Sequence, residues 1–175
     1  AHELGHGIHQ VLASEQGFLL SDTPLILAET ASVFGEQLVF QSLLKSCKTE
    51  DEKKQILSGK IEEMINTVIR QISFYDFELR IHSKRRESEL NTNEINEIWL
   101  KTQRESLGDA FELGHEYRNY WCYISHFIHT PFYVYSYAFG DSLVNSLFQV
   151  YKNNFPDFES KYLNLLKAGG SKNYK

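Results

Sequence analysis

The sequence predicts a predominantly all-α chain of several helices, with little or no sheet. Three observations predict it. Apolar residues recur at three- and four-residue spacing in one segment after another. Hydroxyl and acidic residues that cap helices stand where those patterns begin. Only 3 Pro and 10 Gly punctuate 175 residues, few for a chain of short strands and turns.

Taken in order, residues 1–14 read as a helix that ends near Gly17, and Ser21 to Pro24 as a turn. Pro24 leads into an apolar helix running to about Leu44, with Ala28, Ala31, Phe34 and Leu38 at helical spacing. In the charged connector Lys45 to Lys54, Thr49 supplies an N-cap, and Glu50, Asp51 and Glu52 place acids in the first turn of the next helix. That helix is long: Ile61, Met64, Ile65, Val68 and Ile72 fall on one stripe, with Glu62, Glu63, Asn66 and Arg70 away from it. It continues through Phe74, Tyr75 and Phe77 toward Arg86, and Asn91 to Asn93 breaks it. Thr92 is expected to cap a helix to about Gln103 that buries Ile95, Ile98 and Trp99. Gly108 and Gly114 punctuate a looser stretch before the aromatic segment Tyr117 to Phe139, in which Phe132 to Tyr137 carries a strand-like alternation. Asp141 starts a helix through about Tyr151, and Phe155-Pro156-Asp157 opens a last short helix ending at Ala168-Gly169-Gly170.

The length fits one domain, 1–175, with a real core. A formal net charge of -5, with no basic cluster longer than Lys84-Arg85-Arg86, argues against nucleic acid as a partner. Cys47 and Cys122 form neither a metal-binding pair nor a disulfide framework, so a reducing compartment is expected. No apolar run approaches the ~18 residues of a membrane span, and no basic segment followed by an apolar one opens the chain. The expectation is a cytoplasmic location and no membrane partner.

The chemistry concentrates at the start, in Ala1-His2-Glu3-Leu4-Gly5-His6. On a helix, histidines four apart project from one face about a turn apart and can chelate one ion. Neutral imidazole suits a borderline ion such as Zn²⁺, and Glu3 stands beside His2 as a general base for water activated by that ion. Co²⁺ or Mn²⁺ would also be accepted by such a donor set. Peptide hydrolysis is the natural reaction. A bare HExxH pattern can also be two unrelated histidines on a surface helix. Against that stand Gly5 and Gly7, each costing the helix roughly 1 kcal/mol relative to Ala, a cost that makes sense if a backbone or ligand approaches closely. His9 shares the face but lies beyond reach of an ion held by His2 and His6, so packing or hydrogen bonding suits it better than ligation.

A catalytic zinc needs a third protein ligand and an open position. Glu29 is the best candidate, because it interrupts the apolar run Leu25-Ile26-Leu27-Ala28 and Ala31, where an uncompensated carboxylate is expensive to bury. Glu36, seven residues on, falls on nearly the same face and suits an acceptor that orients a ligand histidine, although its spacing equally fits a solvated glutamate.

HELGHGIH followed by Ala28-Glu29-Thr30-Ala31-Ser32 resembles the oligoendopeptidase F branch of the thimet oligopeptidase family of zinc metallopeptidases. The resemblance continues through Phe77-Glu78-Leu79-Arg80-Ile81-His82, Glu89-Leu90, and the run from Ser125 to Gly140, and so spans nearly the whole chain. It implies a zincin-like catalytic segment with one Zn²⁺ held by His2, His6 and Glu29, and with Glu3 as general base and proton shuttle. It further implies that His126, Tyr133 and Tyr137 face the zinc and donate hydrogen bonds to the substrate carbonyl as it becomes an oxyanion, which is sound physics for donors placed before reaction. Periodicity alone leaves open which tyrosines share a face: Tyr133 and Tyr137 if the stretch is helical, Tyr133, Tyr135 and Tyr137 if it is extended. Simple core packing of these aromatics is the competing reading. Tyr135 is the less favoured tyrosine, His129 has a similar standing, and Pro131 marks a bend. Arg80, His82, Arg85 and Arg86 could bind a peptide carboxylate, though a solvated helix face fits most of them better.

Family members have a long helical region before the zinc helix and a further helical segment after the Ala168-Gly169-Gly170-Ser171 stretch, so both ends of this chain are expected to be truncated. Two functions follow. One is a zinc metalloendopeptidase that hydrolyses internal bonds of short, unstructured peptides, within a longer chain or paired with a complementary N-terminal fragment. The other is a non-catalytic helical remnant or interaction module that at most binds zinc. The intact set His2, Glu3, His6 and Glu29 favours a functional parent enzyme or a recent truncation of one, and the first reading is favoured for the molecule of origin.

Overall fold

The structure, a computed structural model, describes residues 1–172. It is built of helices, and no strand occurs among the described residues, as the sequence predicts. Two compact units form: one from residues 1–63 and 139–172, the other from Met64 to Ala138.

The first unit begins with α1 (His2–Ala13), which ends through a 3-10 turn at Ser14–Gln16 and Gly17, whose φ of 75° suits glycine. It then includes α2 (Thr30–Ser46) and nearly all of α3 (Glu50–Met64). After Phe139 come most of α7 (Tyr135–Lys152) and α8 (Phe158–Lys167). The core is Val33 and Phe34 of α2 against Val144 and Phe148 of α7 and Phe158 of α8. Phe34 makes ring contacts with Phe148, Phe158 and Tyr162. α8 is also pinned to the start of the chain: Gln16 Nε2 donates to the Lys167 carbonyl at 2.9 Å and the Gly170 N–H to that of Leu20 at 2.8 Å.

The expected Thr49 cap forms. Thr49 Oγ1 accepts the Glu52 N–H at 3.2 Å while Glu52 Oε2 accepts those of Lys48 and Thr49. The helix expected straight after Pro24 starts later. A 3-10 turn, Leu25–Leu27, intervenes, and Glu29 is the N-cap of α2, with φ −85° and ψ 0°. Each residue of that turn is apolar and helix-compatible, so spacing reads through the break. Leu38, expected on the buried stripe, is 43% exposed, because α2 turns Thr30 to Phe34 and Gln37 inward instead.

The second unit contains a π-helical turn (Ile65–Ile69), α4 (Arg70–Arg85), α5 (Thr92–Leu107), 3-10 segments at Gly108–Ala110 and His115–Tyr123, and the short α6 (His126–His129). Its core gathers Phe74 and Phe77 of α4, Trp99 and Leu100 of α5, and Val134. Trp99 is fully buried, and its indole N–H donates to the Tyr117 carbonyl at 2.9 Å. Asn91, not Thr92, caps α5. Its side chain accepts from the Asn93 and Glu94 amides, while Glu94 accepts the Asn91 N–H in return. The helix runs past Gln103 to Leu107, where Gly108 (φ 60°) stops it.

Phe132 to Tyr137 is not a strand. A turn through Phe132 (φ 61°) leads into α7 at Tyr135, six residues before the expected start at Asp141. The six-residue alternation was too short to separate a strand from a turn entering a helix.

Candidate metal centre

His2 and His6 stand one turn apart on α1, with their Nε2 atoms 3.1 Å from each other. Glu29 brings Oε2 to 3.5 Å from each of those nitrogens. All three belong to the first unit, and Glu29 is buried while the histidines are half-buried. The juxtaposition depends on Gly5, which lies between the two histidines on α1. A Cβ there would meet Ser32 Cα at 2.4 Å and the Ala31 carbonyl oxygen at 2.6 Å, so the backbones of α1 and α2 touch where only hydrogen fits. Gly7 has nothing within 4 Å of such a Cβ, and no close backbone approach explains it.

Neighbours hold each donor. Ser32 Oγ donates to Glu29 Oε2 at 2.8 Å. Gly140 backs the same side chain, since a Cβ on it would lie 3.1 Å from Glu29 Cβ. Glu36 Oε1 lies 2.7 Å from His2 Nδ1. A carboxylate there takes the Nδ1–H, which leaves the Nε2 lone pair for an ion. Asp141 is buried beside Gly140 and accepts from Asn145 Nδ2 at 2.8 Å; Gln37 Nε2 of α2 donates to Asn145 Oδ1 at 2.9 Å. Burial pushes the Asp141 carboxyl up, with the Lys60 ammonium opposing the shift. A cleft of about 410 Å³ opens beside His2 and Glu36, with Phe40, Lys60 and Glu63 on its wall.

These donors fit an ion. Bonds of about 2.0–2.1 Å at tetrahedral angles keep ligand atoms roughly 3.3 Å apart, and the sides of this triangle, 3.1, 3.5 and 3.5 Å, bracket that value. Two imidazoles and one carboxylate leave a fourth position open, as in catalytic zinc sites. Glu3, in the first turn of α1, is exposed next to His2. His9 stands apart from the group, buried, with Nε2 3.4 Å from Thr23 Oγ1. Burial, and secondarily His6, lower its pKa.

The second unit brings together the other predicted residues. The His126 and Tyr133 rings stack at 5.3 Å, Tyr133 and Tyr137 meet edge to face at 5.1 Å, and His126 Nε2 lies 3.2 Å from the Tyr137 hydroxyl. Tyr135 points elsewhere, 40% exposed with its ring against Tyr75, and His129 is exposed. Arg80 is committed to Asp76 and Glu105, each at 2.7 Å. His82 packs on Phe132, and Arg85 and Arg86 are exposed. Sequence reasoning missed Ser32 and Gly140 as supports of Glu29. Ser32 was within reach, since a hydroxyl three residues past a helix N-cap can turn back to the cap's side chain, whereas Gly140 carries no local signal.

Known proteins resemble this chain in sequence and in fold. The pattern of peptidase family M3 matches residues 1–175. The chain is 33% identical over 172 residues to the group B oligopeptidase PepB of Streptococcus agalactiae, covering 97% of this chain and 28% of that protein. It is likewise 33% identical over 172 residues to the chromosomal oligoendopeptidase F of Lactococcus lactis subsp. cremoris, with the same coverage of 97% and 28%. The crystal structure of oligoendopeptidase-F from Enterococcus faecium superposes with a TM-score of 0.79 at 27% identity, over 96% of this chain and 30% of that one. The chain thus spans under a third of the length of the relatives it matches.

Proposed function

Since the chain belongs to peptidase family M3, we propose that it is the metal-binding, catalytic segment of a zinc metalloendopeptidase that hydrolyses internal bonds of short, unstructured peptides. The observation that carries this reading is the His2, His6, Glu29 triangle with sides of 3.1, 3.5 and 3.5 Å. His2 and His6 hold the ion through Nε2 and Glu29 through Oε2, with Ser32 and Glu36 fixing the orientation of Glu29 and His2. Zinc, when bound, polarises the scissile carbonyl and acidifies water.

Glu3 takes a proton from the attacking water and delivers it to the departing amine nitrogen. A carboxylate exposed at the start of a helix, beside a ligand, is free to move that proton. His126, Tyr133 and Tyr137 donate hydrogen bonds to the carbonyl oxygen as negative charge develops on it. Their mutual ring contacts in the second unit support a shared task, because each ring limits the rotation of the others. The remaining length of the enzyme, in the same chain or a complementary fragment, confines substrates to short peptides. No helix among the described residues is long and apolar enough to cross a membrane. The proposal includes a cytoplasmic location, supported by Cys47 and Cys122 as free thiols.

The test is cleavage of a quenched fluorescent peptide by the zinc-loaded protein and by Glu3→Gln. The proposal expects Glu3→Gln to keep its zinc and lose turnover by at least the 10²–10⁴-fold typical of a general base. Equal turnover in the variant would remove Glu3 from the chemistry. Zinc bound without turnover in this chain alone, with turnover restored by adding the part of its relatives that it does not span, would leave the site intact and assign the walls to that part. No turnover in either form would favour the non-catalytic module.

A further inference from the structure

The Phe77 to His82 run has no part in the chemistry above, yet it holds a carboxylate only 2% exposed, Glu78. Its Oε1 accepts the backbone N–H of Phe132 at 2.9 Å, and its Oε2 is buried without a hydrogen-bond partner among the described residues. Phe132 has a φ of 61°, a left-handed conformation that bulky L residues rarely adopt. Such a conformation persists only where the surroundings over-determine it. Here α4 does so. Besides Glu78, it sets Tyr75 and His82 against the Phe132 ring, at 5.9 and 4.9 Å. The turn so pinned delivers the next residue, Tyr133, whose N–H donates to the Thr130 carbonyl at 3.2 Å and whose ring stacks on His126.

We propose that Glu78 is a positioning residue: by accepting the Phe132 N–H, its carboxyl group holds the Thr130–Tyr133 turn in the conformation that stacks Tyr133 on His126. The inference rests on the reading of Tyr133 and His126 as donors to the substrate. Burial pushes the Glu78 carboxyl up. An amide oxygen in the place of Oε1 accepts the same Phe132 N–H, so a glutamine does the same work, and an apolar side chain of similar size does not.

The test compares Glu78→Gln and Glu78→Leu in the zinc-loaded protein by peptide cleavage and by NMR. In Glu78→Gln, the Phe132 amide stays protected from exchange, and kcat stays within about threefold. In Glu78→Leu, that protection is lost, the His126 and Tyr133 ring resonances shift, and kcat falls on the order of 10- to 100-fold at similar KM, as expected for misplaced groups. Zinc content is unchanged in both. Ring resonances and kcat left in place by Glu78→Leu, or a Gln variant as impaired as the Leu variant, would overturn the proposal. Glu78→Met replaces Glu78→Leu if the latter does not fold, and failure of both to fold while Glu78→Gln folds would assign Glu78 to the fold alone. If the unaltered protein cleaves nothing, whether alone or together with the part of its relatives that it does not span, the functional reading fails, while the resonances still decide the role of Glu78.

Discussion

Replacing Gly5 and Gly7 by alanine, one at a time, makes the same chemical change twice on one helix, two residues apart, with opposite expected signs. At Gly7 the added methyl meets nothing within 4 Å, so only helix propensity acts and the variant gains up to about 1 kcal/mol. At Gly5 it would lie 2.4 Å from Ser32 Cα and 2.6 Å from both Ser32 N and the Ala31 oxygen. All three are backbone atoms, which cannot rotate aside as a side chain would. Overpacking of this kind costs about 3 kcal/mol at the upper end of its usual range; set against the ~1 kcal/mol gained in propensity, roughly 2 kcal/mol is lost. For a chain of this size that is a Tm lower by about 4–8 °C. Relief requires α1 and α2 to part by about 1 Å, the distance to an ordinary carbon contact of ~3.5 Å. Glu29 enters α2 three residues before Ser32, so its 3.5 Å distances to His2 and His6 lengthen well past what one tetrahedral ion spans. Zinc affinity should therefore fall by at least 10- to 100-fold. Thermal unfolding in chelator gives the first quantity and competition with a chromophoric chelator the second. A Gly5→Ala protein as stable and as zinc-avid as Gly7→Ala would refute the close approach on which the site is built.

Glu36→Leu removes the acceptor 2.7 Å from His2 Nδ1 and should lower zinc affinity by about 10- to 100-fold, read by the same competition titration. Asn91→Ala deletes the side-chain half of the α5 capping box, the acceptor of the Asn93 and Glu94 amides, and should cost about 1 kcal/mol, a Tm drop of roughly 2–4 °C by calorimetry. A pH dependence follows from Glu78, whose carboxyl burial holds above its ordinary value of 4.5. Between that value and the raised one, the folded chain keeps a proton that the unfolded chain has released, so this contribution is whole below pH 4.5 and lost as pH rises through the raised value. Glu78→Gln cannot lose it, so its Tm should gain on that of the unaltered protein between pH 4.5 and neutrality; the opposite trend would mean the carboxyl is not held up.

What the sequence made legible follows from how local each signal is. His2 and His6 could be paired because a helix alone sets their spacing, and Glu29 stood out as a charge in an apolar run. The Thr49 cap could be read because both partners lie within four residues. For His126, Tyr133 and Tyr137, periodicity left the choice open, and the resemblance carried it. The structure shows why: Tyr133 precedes α7 and Tyr137 lies in its first turn, so no single period covers both. Contacts between distant segments left no local trace. Nothing near Gly5 names Ser32 as its neighbour, and nothing near Glu78 names Phe132, 54 residues on. The break before α2 was hidden because an apolar 3-10 turn has the composition of a helix. Thr92 and Asn91 are both good cap residues, and Asn91 is the cap because its side chain accepts from the Asn93 and Glu94 amides while Glu94 reaches back to the Asn91 N–H.

The most direct test of the central claim is zinc content together with X-ray absorption at the zinc edge, on the unaltered chain, on His6→Ala and on Glu29→Ala. The account predicts one zinc per chain, with two imidazole nitrogens and oxygen donors at about 2.0–2.1 Å, and weakened binding in each variant. Zinc retained with unchanged affinity and the same spectrum in both variants would place the ion elsewhere and contradict the site.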